Sequence, residues 1–222
     1  MGAFVGVSKL FGNKIVEYAK KAGYSEDNIL ILSGKETELA ERFPETYQNL
    51  LSCRHHADRR LPIDYGKDLV ASWLFEDYLF EILKNHSDNF TVSLSGADKE
   101  RKILARARTS STSDYEIIYK DGTTRKMELM NDYSGYWAKN NRLDLRDSKY
   151  NKLKNENALL LTIAVGEQKF SVIDFSKEIN SIYIANHPPY GFKPAYQIPI
   201  NSAAMLKLES KQLISELSKY KE

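Results

Sequence analysis

Residues 113–132 place the tightest limit on how this chain can fold. The segment carries two runs rich in Ile, Tyr and Thr on either side of Asp121-Gly122. An Asp-Gly pair between such runs is a strong local signal for a β-hairpin. If Lys120, Asp121 and Gly122 form a three-residue loop with Gly122 left-handed, Tyr119 faces Thr123. Counting back from there sets Asp114 opposite Glu128. Directly opposed residues point to one face, with Cβ atoms about 4.5–5.5 Å apart, and like charges so placed repel. A cation between them resolves the conflict, and a divalent ion is the simple candidate because hard cations take carboxylate oxygens. A two-residue loop would shift the pairing by one and leave an exposed hairpin with scattered charges. The local pattern leaves both registers open.

A chain of 222 residues with 42% apolar residues and 14 tyrosines can bury one sizeable core. Lys and Arg total 32 against 30 Asp and Glu, so any affinity for nucleic acid must come from local patches rather than bulk charge. A single cysteine, Cys53, excludes an internal disulfide framework and thiolate zinc clusters, and suits a reducing cytoplasm. The four histidines, His55, His56, His86 and His187, lack metalloprotease spacing. No apolar run approaches the roughly 20 residues of a membrane span. The N-terminus lacks the charged start and cleavage site of a signal peptide.

Helical patterns run over 9–22 and 35–52, with 26–32 ambiguous. The clearest helix spans 66–84, where Leu69, Val70, Trp73, Leu74, Phe75, Tyr78, Leu79, Phe80, Ile82 and Leu83 cover most of the circumference. Glu76 falls in that apolar sector. A carboxylate there is costly unless paired or metal-bound, which makes Glu76 a candidate for the site rather than a side chain snorkelling at the helix edge. Residues 90–95 alternate as a strand, and Gly96 breaks it.

Leu143, Arg146, Tyr150 and Leu153 form one stripe of a helix over 142–154, with Lys149 beside it. Residues 158–165 are continuously apolar, as in a strand buried on both faces. Strands follow at 169–175 and 181–185, then a stiff loop at 187–196 and a charged helix at 202–221. Two further segments invite phosphate contact: the basic loop 53–62, with Arg54, Arg59 and Arg60, and the basic stretch 98–107 followed by hydroxyl residues that include Ser110 and Ser111. Both also fit solvated connectors. The order of elements predicts an α/β layer arrangement around a mixed β-sheet.

With these residues in place, the core from about 66 to 175 resembles the PD-(D/E)XK nucleases, and within them the type II restriction endonucleases. That family's core runs helix, three antiparallel strands, helix, strand. Its Asp opens the second strand, matching Asp114, here preceded by Ser113 rather than Pro. Its second acid matches Glu128, and the Glu often found on its first core helix matches Glu76. The family's Lys falls on Met130, a departure from the motif. Lys149, Arg146 or Lys126 would then have to replace it, and Lys149 is the expected replacement.

The resemblance implies a PD-(D/E)XK core flanked by helices in a single nuclease domain: an N-terminal helical and recognition region at 1–62, a catalytic core at 66–175, and a C-terminal loop and helix at 176–222. It implies a cytoplasmic, Mg²⁺-dependent, sequence-specific endonuclease of double-stranded DNA, acting as a homodimer away from membranes. Asp114, Glu128 and the Leu129 backbone carbonyl would hold the metal, with Lys149 and Glu76 completing the catalytic set. Arg54, Arg59, Arg60, Ser110, Ser111, Arg146, His187, Tyr190 and Lys193 would contact DNA. The alternatives are a repair or recombination nuclease of the same superfamily and a catalytically inactive DNA-binding module.

Overall fold

The computed structural model describes residues 2–53, 60–86, 88–95, 100–105, 113–201 and 203–221. The chain divides into two compact units. The first comprises 1–79 and 96–112, the second 80–95 and 113–222. The helical region expected over 1–62 therefore takes in most of the following helix and a later segment as well.

The first unit is helical. Helices α1 (Ala3–Leu10), α2 (Ile15–Lys21), α3 (Glu26–Ser33), α4 (Glu36–Arg42) and α5 (Pro44–Cys53) precede α6 (Pro62–His86), which gives 62–79 to this unit. The helix expected at 9–22 is broken by Gly12 and Asn13, both at positive φ. The one expected at 35–52 is broken before Pro44, whose ring disfavours the helical conformation in the residue it follows. Gly66 sits where α6 meets α3 and α5. A Cβ there would come within 3.0 Å of Ile31 and 3.1 Å of Leu50.

The second unit holds a mixed six-stranded sheet and a smaller three-stranded sheet. The large sheet has the order β1 (Phe90–Leu94), β2 (Tyr115–Tyr119), β3 (Thr124–Asp132), β5 (Leu159–Ala164), β6 (Lys169–Asp174), β9 (Leu206–Lys207). All neighbours are antiparallel except β3 and β5. The hairpin follows the three-residue register. The Tyr119 N–H donates to the Thr123 carbonyl at 2.9 Å, and Gly122 has φ +88°. Tyr115 pairs with Met127, so the next step outward sets Asp114 against Glu128.

A parallel pair cannot be joined by a tight turn and needs a crossover. Between β3 and β5 the chain forms α7 (Tyr136–Asn140), β4 (Arg142–Arg146) and α8 (Asp147–Asn155). This corrects the single helix expected over 142–154. Leu143 and Leu145 are buried on β4, which pairs with β8 (Lys193–Pro199), and β7 (Ile182–His187) completes the small sheet. The stiff loop expected over 187–196 becomes a 3-10 turn, Pro188–Tyr190, and most of β8. The charged helix expected over 202–221 shortens to α9 (Ser210–Leu217) and a 3-10 turn, because Leu206 and Lys207 extend the large sheet instead.

The apolar run 158–165 becomes β5, buried along its whole length. Leu160 and Ala158 join Leu153 of α8, Leu143 and Leu145 of β4, Phe175 and Ile198 in one core cluster. Each such large side chain contributes about 1.5–3 kcal/mol when fully buried. The cluster, with Tyr150 stacked on Tyr196 at 3.8 Å between ring centroids, fixes α8 in the unit.

Candidate active site

The site is built where the hairpin meets α8. Asp114 precedes β2 and Glu128 lies on β3, one residue beyond the last paired position on each strand. Asp114 is tied down by the main chain. Its carbonyl accepts from Ser95 at 3.0 Å, and its Oδ2 accepts the Leu129 N–H at 2.8 Å. The N–H and C=O of one strand residue point toward the same neighbour. The Leu129 carbonyl therefore lies on the Asp114 edge of β3.

Glu128 is engaged from α8. Lys149 Nζ lies 2.7 Å from Oε1 and Lys152 Nζ lies 3.4 Å from Oε2. Each carboxylate oxygen has its own ammonium. Lys149 is thus beside the second acid, although the helix that carries it starts five residues later than expected. Sequence reasoning missed Lys152. Its signal was the i, i+3 spacing from Lys149, which puts two residues on one face of a helix. Reading 142–154 as one helix drew attention to the Leu143 stripe instead.

The electrostatics are uneven. Burial, and then the Glu128 charge, push the Asp114 carboxyl up to about 6. The Leu129 N–H, Lys149 and Lys152 oppose that rise without cancelling it. Asp114 is therefore the carboxylate of the pair whose charge is poorly compensated.

Met130 is partly buried against the core cluster. That packing gives a physical reason for an apolar residue at this position of β3. Lys126 is exposed and pairs with Glu156 at 3.1 Å, and Glu156 also accepts from the Ser113 hydroxyl at 3.2 Å. Arg146 ends β4 rather than lying on a helix. Its guanidinium sits 5.3 Å from the centre of the Tyr190 ring.

The other expected residues are placed differently. Glu76 belongs to the first unit, where its Oε2 lies 2.8 Å from Arg101 Nη1. Arg101 also meets Asp77 at 2.6 Å, and Asp77 accepts from the Tyr24 hydroxyl at 2.5 Å. The carboxylate in the apolar sector thus has a guanidinium as its partner.

His187, expected at a DNA surface, is 2% exposed, so its ring cannot reach a duplex from this position. Its Nε2 lies 3.2 Å from Asp144 Oδ2, which also accepts from the Tyr136 hydroxyl at 2.7 Å. Tyr190 is half-buried, its hydroxyl donating to the Asp144 carbonyl at 2.6 Å. Lys193 is exposed at the start of β8. Arg60 is exposed and pairs with Asp68 at 2.5 Å. Arg54, Arg59, Ser110 and Ser111 lie outside the described residues, as do residues 98–99 and 106–107 of the basic stretch 98–107.

Among the described residues, no group of three or more His, Cys, Asp or Glu side chains is gathered to hold a metal. Mg²⁺ asks for less. It retains several waters and is commonly bound through one or two carboxylates, so the Asp114–Glu128 pair with the Leu129 carbonyl fits it. No helix among the described residues is long and apolar enough to cross a membrane. Compared with protein families, with curated proteins and with solved structures, the chain gives no significant match.

Proposed function

We propose that this chain is a Mg²⁺-dependent endonuclease of double-stranded DNA with a PD-(D/E)XK core, of the type II restriction class. One observation carries the reading: two carboxylates share a face of a hairpin, and a lysine from the crossover helix reaches the second of them at 2.7 Å. The order α6, β1, β2, β3, α8, β5, with α7 and β4 inserted between β3 and α8 and with β5 parallel to β3, supports it too, since apart from that insertion it follows the helix, three strands, helix, strand order of that core.

Asp114, Glu128 and the Leu129 carbonyl would hold the Mg²⁺, which when bound offsets charge on the phosphate and lowers the pKa of a water. The protein's own groups do the rest. The hairpin holds the two carboxylates at a fixed separation through its ladder and the Leu129 N–H bond. Asp114 must shed its proton to act as a ligand, and burial beside Glu128 makes that harder at acidic pH. Lys149 replaces the lysine that the motif would have at Met130. Its ammonium can stabilise charge developing on a phosphoryl oxygen, and it can exchange a proton with water as a guanidinium effectively cannot. Arg146 and Lys193, exposed on the same unit, are candidates for phosphate contact. A double-strand cut normally takes two active sites, so we propose a symmetric homodimer.

The test is digestion of a long plasmid or phage DNA by the purified chain with Mg²⁺. Discrete bands support a site-specific endonuclease. Preference for branched over linear duplex would move the assignment to a repair or recombination nuclease. Binding with no Mg²⁺-dependent cutting would select the inactive DNA-binding module, the reading that Met130 favours.

A further inference from the structure

The second unit places two ammonium groups on one carboxylate, more than a catalytic lysine requires. Lys149 and Lys152 stand at i and i+3 on α8, and each takes a different oxygen of Glu128. We propose that Lys152 is a resident counter-cation of Glu128 that a divalent ion must displace, so that this residue sets the affinity of the site for metal. The inference rests on the reading of Asp114 and Glu128 as metal ligands and deepens it.

The two contacts are unequal. Lys149 is close at 2.7 Å, whereas Lys152 stands off at 3.4 Å, so Lys152 is the one that yields first. Its release needs only side-chain rotation, because Leu153 is fully buried in the core and Tyr150 is stacked on Tyr196. The helix therefore stays while the ammonium moves. A lysine suits this role. It is a compact, strongly hydrated charge on a flexible stem, whereas an arginine fork holds a carboxylate in a fixed planar geometry. While Lys152 remains, it occupies an oxygen that the ion needs and repels the ion as a like charge. Lys152 acts through Glu128 and is a positioning residue. Lys149, still held at Oε1 until the ion arrives, is then free to face the phosphate.

The experiment is titration of the full chain with Mn²⁺ in the absence of DNA, following free ion by electron paramagnetic resonance. The variants are Lys152→Met, Lys152→Gln, Lys149→Met and Glu128→Gln, each checked for fold by circular dichroism. Removing a unit positive charge beside a divalent ion should tighten Mn²⁺ binding at least about threefold in both Lys152 variants, and added salt should narrow that gap. Glu128→Gln should weaken binding in the same assay.

Folded Lys152 variants that bind Mn²⁺ no more tightly than wild type would overturn the inference and leave the metal site standing. Loss of fold in both Lys152 variants would overturn it as well, by making the residue structural. Wild-type binding that Glu128→Gln leaves untouched would overturn the metal reading itself.

Discussion

Two clusters in this protein set carboxylates against cations, one in each unit, and they resolve the conflict in opposite ways. In the first, Glu76 and Asp77 are neighbours on α6 and share the guanidinium of Arg101, with Tyr24 closing the far side of Asp77. Arginine keeps its charge at any accessible pH and offers several donors in a fixed fork, so it locks both carboxylates in place. In the second, Asp114 and Glu128 oppose each other across a hairpin, and among the described residues two lysines are directed at Glu128. Asp114 receives a main-chain N–H and remains poorly compensated, its carboxyl pushed up to about 6. The first arrangement is closed and suits a structural joint. The second leaves a charge to be met from outside, with partners that can be exchanged.

Substitution at the second cluster should cause the largest change. Asp114→Ala or Glu128→Ala should reduce Mg²⁺-dependent cleavage by at least about 10³-fold while the variants stay folded and still bind DNA. Cleavage rates beside circular dichroism and a gel-shift titration check this. Unfolding of both variants would make the pair structural and erase the contrast between the clusters.

The converse holds at the first cluster. Arg101→Ala leaves two half-shielded carboxylates adjacent on one helix turn. After discounting for their partial exposure, it should cost about 2–3 kcal/mol of stability, measured by urea unfolding. It should leave Mn²⁺ affinity unchanged. A stable Arg101→Ala that lost metal binding would show that Glu76 serves the site after all.

Lys149→Ala should lower the cleavage rate at saturating DNA by at least about tenfold, with little change in DNA binding. A Met130→Lys change in that background should recover part of the loss, since it returns an ammonium to β3. Wild-type cutting by Lys149→Ala would mean that the metal alone activates the water.

The smallest effect concerns pH. A carboxyl whose folded pKa is raised binds its proton more tightly when folded. Asp114 therefore stabilises the fold most below its unfolded value, near 3.8, and that contribution is lost as pH rises through about 6. Without added metal, stability should fall as pH rises across that window. Asp114→Asn should flatten the profile. Thermal melts at several pH values, with a chelator present, read this out.

Local chemistry was enough for the hairpin. Gly122 at φ +88° follows from the Asp-Gly turn, and the three-residue loop then dictates which residues face each other, because a strand has a period of two. The same holds for β5, whose unbroken apolar run had to be buried on both faces. Lys149 was legible as a long cation close to a sheet that carries two acids. The segment 142–154 was not legible as strand then helix. Leu143 and Leu145 fit a strand, Leu143 and Tyr150 fit a helical stripe, and only pairing with β8, some fifty residues later in the chain, decides between them.

Distant partners settled the rest. Glu76 looked like a ligand because a carboxylate in an apolar helix sector needs a partner or a metal, and the partner is Arg101, 25 residues away. His187 sits in a segment of prolines, aromatics and glycine that reads as surface. Pairing of β7 with β8 buries its ring against Asp144. Periodicity and turn chemistry act over a few residues, so the sequence by itself determined the hairpin and the buried strand and narrowed the hairpin register to two, between which the ladder of the folded sheet chose. Which cation meets which carboxylate depends on crossovers that bring distant segments together, and that was decided only by the tertiary structure.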